Sequence, residues 1–313
     1  MSKVAFLFPG QGSQTVGMGM QIGERFEEAA QIFKQADEVL QAPLSQIIFE
    51  GPQAELTKTT NAQPALLTTS YAILTVMKKF DITPDYVAGH SLGEYSALVA
   101  ANALSFQDAV YAVRKRGEFM EEAVPNGEGA MAAILGMDPN ALQAVTEEVT
   151  NEGHAVQVAN MNSRQQIVIS GTKQGVEIAC KKAKENGAKR AIPLRVSGPF
   201  HSSLMKPAAE KFRTVLDNIQ IQDAHIPVIA NVTGDIITNS SDIHDKLIEQ
   251  LYSPVQWYPT IERLIELGVD TFIEVGPGKV LAGLMKSIAP SAKTYAVYDE
   301  ESLNDTISKL KGE

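Results

Sequence analysis

The feature that most constrains this chain is a Gly-x-Ser-x-Gly pentapeptide at residues 89–93, with the sequence Gly-His-Ser-Leu-Gly. A short apolar stretch, residues 86–88, precedes it, and a helix-forming stretch, residues 94–101, follows it. A serine in this pattern between a strand and a helix is typical of the nucleophile elbow, whose glycines allow a turn too tight for a Cβ atom. The pattern predicts that the Ser91 hydroxyl projects beside the free N–H groups of a helix N-terminus. The alternative is a glycine-rich turn that merely contains a serine.

Composition narrows the possible functions. The 313 residues are 44% hydrophobic and 20% charged, which is ordinary for a soluble globular protein. The net charge of −10 argues against a nucleic acid as the main partner, because phosphate binding needs a basic surface. The single cysteine, Cys180, excludes an intramolecular disulfide and favours a cytoplasmic setting. The apolar stretch at residues 4–8 is too short for a signal peptide or a membrane span, so we expect a buried first strand and no membrane partner.

The loop after this first strand is also rich in glycine. Gly10 and Gly12 start a dinucleotide-binding pattern, but Thr15 stands where the third glycine is required, and no Gly-Lys-Ser/Thr follows for a P-loop. The loop therefore either brings backbone amides close to another loop or is a plain strand-to-helix connection.

The order of elements predicts two parts. Apolar periodicity predicts four helices before a break at residues 124–129, over residues 18–40, 61–80 (with Asn61 as N-cap), 92–101 and 106–122. The next segment has the order β-α-β-β-α-β of a ferredoxin-like unit, with a turn at residues 160–164 between its middle strands. Strand–helix alternation then resumes, which favours a mostly parallel sheet. We predict an α/β fold with a large subdomain, residues 1–125 and 198–313, and an inserted small subdomain, residues 126–197.

A serine nucleophile needs a base, and the chain has five histidines. His201 follows the predicted strand 191–196 and precedes a helix, which is where doubly wound folds place their sites. His90 adjoins Ser91, but neighbouring side chains on a strand point apart. His201 is therefore the candidate base, or else a residue that only packs at a helix entry.

No acid between Ser91 and His201 lies at the end of a predicted strand of the large subdomain, so a neutral amide or carbonyl would have to orient the imidazole. Arg116 lies on the predicted helix 106–122, nearer to its apolar side than Lys115 does. An inward guanidinium requires an anionic partner, and a substrate carboxylate would supply one. A solvated basic face is the alternative interpretation.

Six motifs in this order resemble those of bacterial malonyl-CoA:acyl carrier protein transacylases of fatty acid synthesis, over essentially the whole chain. They are Phe8-Pro9-Gly10-Gln11-Gly12-Ser13-Gln14, Gly89-His90-Ser91-Leu92-Gly93-Glu94-Tyr95, Arg116-Gly117 with Phe119-Met120, Phe200-His201-Ser202 with Leu204-Met205, Gln250-Leu251-Tyr252 with Pro254-Val255-Gln256-Trp257, and Glu274-Val275-Gly276-Pro277-Gly278. The resemblance implies an α/β-hydrolase-like large subdomain with a ferredoxin-like small one.

The resemblance also implies roles for individual residues. Ser91 would be the nucleophile, His201 the general base and acid, and Gln250 the residue that orients the histidine. The implied binding groups are the oxyanion-hole amides of Gln11 and Leu92, Arg116 for the malonyl carboxylate, and Phe200 for selection of malonyl over branched acyl groups.

The implied reaction moves a malonyl group from malonyl-CoA to acyl carrier protein, with no cofactor or metal and with a monomeric enzyme. Basic residues around the small subdomain are expected to contribute to carrier-protein docking: Lys181, Lys182, Lys184, Lys189, Arg190, Arg195 and Lys206. Three alternatives remain at this stage: a serine esterase or thioesterase, a transacylase for a neutral or branched acyl group, and a non-catalytic carrier-protein-binding module.

Overall fold

The computed structural model describes residues 2–125, 127–194, 196 and 198–311. The strands are β1 Lys3–Phe8, β2 Tyr86–Gly89, β3 Gly129–Leu135, β4 Val156–Ser163, β5 Gln166–Thr172, β6 Arg190–Pro193, β7 Val228–Ile229, β8 Ile236–Ile237, β9 Val269–Val275 and β10 Lys293–Val297.

The helices follow the same chain order. They are α1 Met20–Arg25, α2 Glu27–Leu40, α3 Leu44–Glu50, α4 Gln53–Thr57, α5 Thr59–Met77, α6 Gly93–Ala100, α7 Phe106–Glu122, α8 Pro139–Asn151, α9 Lys173–Glu185, α10 Lys206–Leu216, α11 Ser240–Gln250, α12 Trp257–Glu266, α13 Val280–Ile288 and α14 Glu300–Lys311. Short 3-10 turns cover Lys78–Phe80 and Ser203–Met205.

The larger sheet has the strand order β10-β9-β1-β2-β7-β8. Its strands pair in parallel except for the last, β8, which is antiparallel to β7. Phe8 lies opposite Gly89 in the register of β1 with β2. The loops that follow these two strands therefore leave the sheet at the same edge, which is where open α/β sheets place their sites.

The smaller sheet is antiparallel and has the order β4-β5-β3-β6. With α8 and α9 it has the β-α-β-β-α-β order of a ferredoxin-like unit. Alternate residues of β3 face opposite sides: Ala132 and Ile134 pack under α8 and α9, whereas Met131 and Ala133 join the core of the large sheet.

The predicted fold class, an α/β protein with a mostly parallel sheet and a separate antiparallel unit, is confirmed. The boundaries of the two subdomains stay a prediction. Two of the boundary residues, Asn126 and Ser197, lie outside the described residues, as does Arg195 of the expected docking set.

Three local predictions were wrong because long-range contacts decide the backbone. The single helix predicted at residues 18–40 breaks at Phe26, whose φ and ψ of −124° and 115° are extended. The break lets α1 fold back on α2, so that Gly23 faces the Phe33 ring. Residues ten positions apart on a continuous helix are separated by about 15 Å and cannot make this contact.

Asn61 is not an N-cap, because α5 begins two residues earlier, at Thr59. Its side chain instead accepts a hydrogen bond from Arg114 Nη1 at 2.7 Å. The turn predicted at residues 160–164 is largely strand, since β4 extends to Ser163. Backbone bonds across to Val255, from Met161 N at 2.9 Å and to Ala159 O at 2.8 Å, hold this part of β4 extended.

Gly89→Ala is expected to lower the free energy of unfolding by about 3 kcal/mol, because crowding of a packed core without room to relax costs this much. A Cβ atom on Gly89 would lie 1.9 Å from the backbone carbonyl of Gly93. Thermal and denaturant unfolding measure the change.

Gly283→Ala, a change within α13, is the matched control, because the added Cβ would have no other described atom within 4 Å apart from its own stretch of helix backbone. It should stabilise the protein by about 0.5–1 kcal/mol through helix propensity. A Gly89→Ala protein as stable as the unaltered chain would contradict the tight elbow.

Candidate active site

Ser91 occupies the turn between β2 and α6 with a φ of 52°, in the left-handed region. The turn is this tight because its flanking glycines touch backbone directly: a Cβ on Gly93 would lie 2.1 Å from the Phe8 carbonyl oxygen. A non-glycine residue in this region is strained and persists only where surrounding contacts hold it. The predicted nucleophile elbow is therefore present as a backbone geometry.

The elbow serine lies beside a histidine 110 residues away along the chain. Ser91 Oγ and His201 Nε2 are 2.7 Å apart. His201 Nδ1 lies 2.8 Å from the carbonyl oxygen of Gln250. Because a carbonyl only accepts, Nδ1 carries the proton and Nε2 is left to accept from the serine hydroxyl. The missing acid is thus replaced by a backbone carbonyl, one of the two possibilities that the sequence left open.

His201 is buried, and burial together with the positive charge of Arg116 lowers its pKa from 6.5 to about 3. The imidazole is therefore neutral at physiological pH, the state that a proton acceptor requires.

Arg116 is 1% exposed and points into the same site. Its Nη1 donates to Gln63 Oε1 at 2.8 Å, and its Nη2 donates to Gln250 Oε1 at 2.9 Å and to Ser91 Oγ at 3.3 Å. All three partners are neutral, so this buried cation contacts amides and a hydroxyl rather than a carboxylate. A buried guanidinium without a carboxylate in contact is suited to an anionic ligand.

The two amides expected to hold an oxyanion come from the loops after β1 and β2. Gln11 and Leu92 both line the cleft over Ser91. Neither backbone N–H donates to an acceptor elsewhere in the described part of the chain. A Cβ on Gly10 would lie 2.3 Å from the His90 carbonyl oxygen, so the two loops are in direct contact. Of the two interpretations of the first loop, the close approach to another loop is the one observed.

The site opens into a cleft of about 430 Å³ between the two sheets. Phe200 lies in its wall and is buried. Further apolar lining residues come from α7, from the small sheet and from the segment after it, and they include Met120, Met131, Val168, Leu194 and Val196.

Strand β4 contacts both the loop that carries His201 and the turn that carries Ser91. The sequence analysis did not predict these contacts. Gln157 Nε2 donates to the carbonyl oxygens of His201 and Tyr252, each at 3.3 Å, and its Oε1 accepts from Ser203 N at 2.8 Å. Asn162 Oδ1 lies 2.8 Å from Nε2 of His90, next to the serine. His90 and Asn162 both line the same cleft as Ser91. Only the tertiary structure pairs these side chains, since no local motif marks them.

Three further buried polar residues of the site were also missed: Gln63, Glu94 and Asn231. Only Glu94 carried a sequence signal, because it directly follows the pentapeptide at the start of a helix.

The chain matches known proteins along nearly all of its length. A family model described as the acyl transferase domain matches residues 5–299. The malonyl CoA-acyl carrier protein transacylase of Bacillus subtilis (strain 168) is 64% identical over 100% of this chain and 99% of its own length. The chain belongs to the malonyl CoA-acyl carrier protein transacylase family.

Solved structures of this transacylase family agree. That of Clostridium perfringens Atcc 13124 superposes with a TM-score of 0.96 at 43% identity, covering 99% of this chain and 98% of its own. A malonyl-transacylase in complex with a type II PKS acyl-carrier protein gives a TM-score of 0.95 at 43% identity, covering 100% of both chains.

The basic residues expected to dock a carrier protein lie mostly away from the cleft. Lys181, Lys182 and Lys184 belong to α9, which covers the opposite face of the small sheet. The Lys182 ammonium is paired with Glu148 at 2.8 Å and Glu152 at 2.6 Å. The docking set therefore stays a prediction, and Lys182 is its least available member.

The described residues contain neither a membrane-spanning helix nor a cluster of metal-ligating side chains. Every helix there is too short or too polar to cross a bilayer. Within the same ranges, no group of three or more His, Cys, Asp and Glu side chains is placed to hold a metal ion.

The His201 imidazole should show no protonation near pH 6.5 in an NMR titration, because its pKa is lowered to about 3. The signal is assigned by its loss in His201→Gln. A midpoint near 6.5 would contradict both the buried placement of the ring and the effect of the Arg116 charge on it.

Proposed function

We propose that this chain transfers a malonyl group from malonyl-CoA to the phosphopantetheine thiol of an acyl carrier protein in fatty acid biosynthesis. The transfer proceeds through a malonyl ester of Ser91. The observation that carries the proposal is the 3.3 Å contact of the Arg116 guanidinium with the Ser91 hydroxyl, which itself contacts His201. Transfer of an acyl group with a free carboxylate requires a cation beside the nucleophile and its neutral base, and this contact supports that assignment for Arg116. Membership of the transacylase family supports the same reaction.

In the first half-reaction, His201 Nε2 takes the Ser91 proton while Oγ attacks the thioester carbonyl. The developing oxyanion is stabilised by the N–H groups of Gln11 and Leu92, and loss of one such donor typically lowers the rate about 10²–10³-fold. The C–S bond then breaks, and His201 gives the proton to the leaving CoA sulfur. Malonyl-Ser91 remains, with its free carboxylate on Arg116.

The second half-reaction reverses these roles with a different thiol. The carrier-protein thiol gives its proton to His201 as its sulfur attacks the ester carbonyl. The C–O bond to Ser91 breaks, and the proton returns to Oγ. The Gln250 carbonyl keeps the ring orientation and tautomer through both halves.

Exclusion of water separates transfer from hydrolysis. The small subdomain, predicted at residues 126–197, is proposed to cover the ester, since Met131 and Val168 of its sheet form one wall of the cleft. Phe200 is proposed to limit the space for branched acyl groups.

Each step uses groups of the chain and its substrates, so the proposal includes no cofactor. The enzyme is proposed to be a monomer, and the single cysteine suits a cytoplasmic location. The partner is proposed to be an acyl carrier protein, because a malonyl-transacylase 43% identical to this chain was solved with one.

Incubation with malonyl-CoA should add the mass of one malonyl group to the protein, and the adduct should map to Ser91. Ser91→Ala should form no adduct, and His201→Ala should form it at least about 10²-fold more slowly, as expected for loss of a general base. Intact-mass and peptide-mass spectrometry measure both.

Ser287→Ala, a change at an exposed serine of α13, is the matched control and should be acylated normally. An adduct that persists in Ser91→Ala, or an unaltered chain that takes up no malonyl group, would overturn the proposal.

Arg116→Ala should lower kcat/KM for malonyl-CoA by about 10–100-fold, since a charge-assisted hydrogen bond is worth about 1.5–3 kcal/mol. Transfer of acetyl, which has no free carboxylate, should fall much less, so the preference for malonyl should shrink. Parallel assays with malonyl-CoA and acetyl-CoA measure the two values.

The control is Arg114→Ala on the same helix, because Arg114 donates to Asn61 and does not line the cleft. It should keep the preference for malonyl. An equal loss for both acyl groups in Arg116→Ala would argue for a general structural effect and against carboxylate recognition.

A further inference from the structure

Behind the elbow lie three polar side chains that are almost fully inaccessible: Glu94 is 2% exposed, Asn231 1% and Gln250 0%. They come from separate elements, namely α6, the segment after β7 and the end of α11. Buried polar side chains destabilise a fold unless they are hydrogen-bonded. Their partners therefore indicate what these side chains hold in place.

Asn231 bonds to both sides of the serine turn. Its Oδ1 accepts from Ser91 N at 2.7 Å, and its Nδ2 donates to Gly89 O at 2.7 Å. A backbone N–H only donates and a carbonyl only accepts, so the amide has one possible orientation. This single side chain spans the turn in which Ser91 has its left-handed φ of 52°.

Gln250 is held in the same way. Its Oε1 accepts from Arg116, and its Nε2 donates to Ser91 O at 2.9 Å and to Glu94 Oε2 at 2.7 Å. The side chain of Gln250 therefore connects the guanidinium to the elbow, in addition to the contact of its carbonyl with His201.

Glu94 joins the two amides. Its Oε2 accepts from Gln250 Nε2 and also from the backbone N–H of Asn231, at 3.2 Å. Because Glu94 Oε2 accepts from Gln250 Nε2, a Gln250 amide rotated by half a turn would place its own oxygen against a carboxyl oxygen. In this network the Gln250 amide lies between the Glu94 carboxyl and the Arg116 guanidinium, and it is bonded to both.

We propose that Glu94 and Asn231 are positioning residues for acyl transfer, which hold the strained Ser91 turn and the Gln250 amide so that the serine hydroxyl stays between His201 and Arg116. The role deepens the function proposed above and rests on it. Neither residue touches the acyl group. Their loss should slow formation of the ester more than it weakens binding of malonyl-CoA, because Gln63 still holds Arg116.

The test measures the rate constant for malonylation of Ser91 in a single turnover, the malonyl-CoA concentration that gives half the maximal rate, and the melting temperature. Asn231→Ala removes two hydrogen bonds to the turn, so the rate constant should fall at least about tenfold. The half-saturating concentration should change less than about threefold.

Glu94→Ala should reduce the rate constant similarly. Glu94→Gln keeps an acceptor oxygen for Asn231 N and Gln250 Nε2, and should recover most of the rate. Asn304→Ala and Glu210→Gln, which change exposed residues of α14 and α10, are the matched controls and should leave the rate unchanged.

If Asn231→Ala does not fold, Asn231→Asp replaces it. This variant keeps the size of the side chain and the acceptor for Ser91 N but loses the donor to Gly89 O, so the same loss of rate is expected.

Folded Asn231 and Glu94 variants that form the ester at the unaltered rate would overturn the positioning role. Variants in which only the half-saturating malonyl-CoA concentration changes would also overturn it. So would a loss of rate in Glu94→Ala that Glu94→Gln does not recover. If the unaltered chain forms no ester at all, the proposed function fails instead, and the two failures are thereby distinguished.

Discussion

The site depends on one contact, the 2.7 Å approach of Ser91 Oγ to His201 Nε2. Both residues make this contact from a strained backbone conformation, since each has a left-handed φ, 52° for the serine and 56° for the histidine. Such conformations persist only where the surroundings fix them. Three contacts in the nearby structure do so: Gly93 packed on the Phe8 carbonyl, the Asn231 amide across the turn, and the Leu251 carbonyl that accepts from His201 N at 3.2 Å.

A second constraint is the buried charge of Arg116. Burial lowers the pKa of the guanidinium, and the same positive charge helps to lower the pKa of His201 to about 3. The cation therefore has two effects on the proposed chemistry: it offers a place for a carboxylate, and it helps to keep the neighbouring imidazole neutral. The amides of Gln63 and Gln250 accept from Nη1 and Nη2 without neutralising the guanidinium, and Nε has no hydrogen-bond partner among the described residues. This leaves the charge free for the carboxylate of the proposed substrate.

The small sheet does more than cover the cleft. Through Gln157 it is bonded to the His201 loop, and through Asn162 to the elbow, with both side chains on the single strand β4. A shift of this strand relative to the large sheet would therefore act on the nucleophile and the base together. The two sheets form one site and share a hydrophobic cluster on the face of the small sheet that turns toward the large one, whereas its other face packs in a separate cluster with α8 and α9.

Sequence alone predicted the α/β class, the ferredoxin-like order and the elbow, because these follow from local periodicity and from glycines at a tight turn. It also identified Ser91, His201 and Arg116 as candidates, since each lies at a recognisable place on a predicted element. The family resemblance pointed to Gln250 as the residue that orients His201, but not to which atom of Gln250 makes the contact. Sequence also did not supply the Asn231 amide across the turn, the Phe26 break or the extension of β4 toward Val255. These depend on which backbone groups and side chains the packing of separate elements brings together, and no short stretch of sequence contains that information.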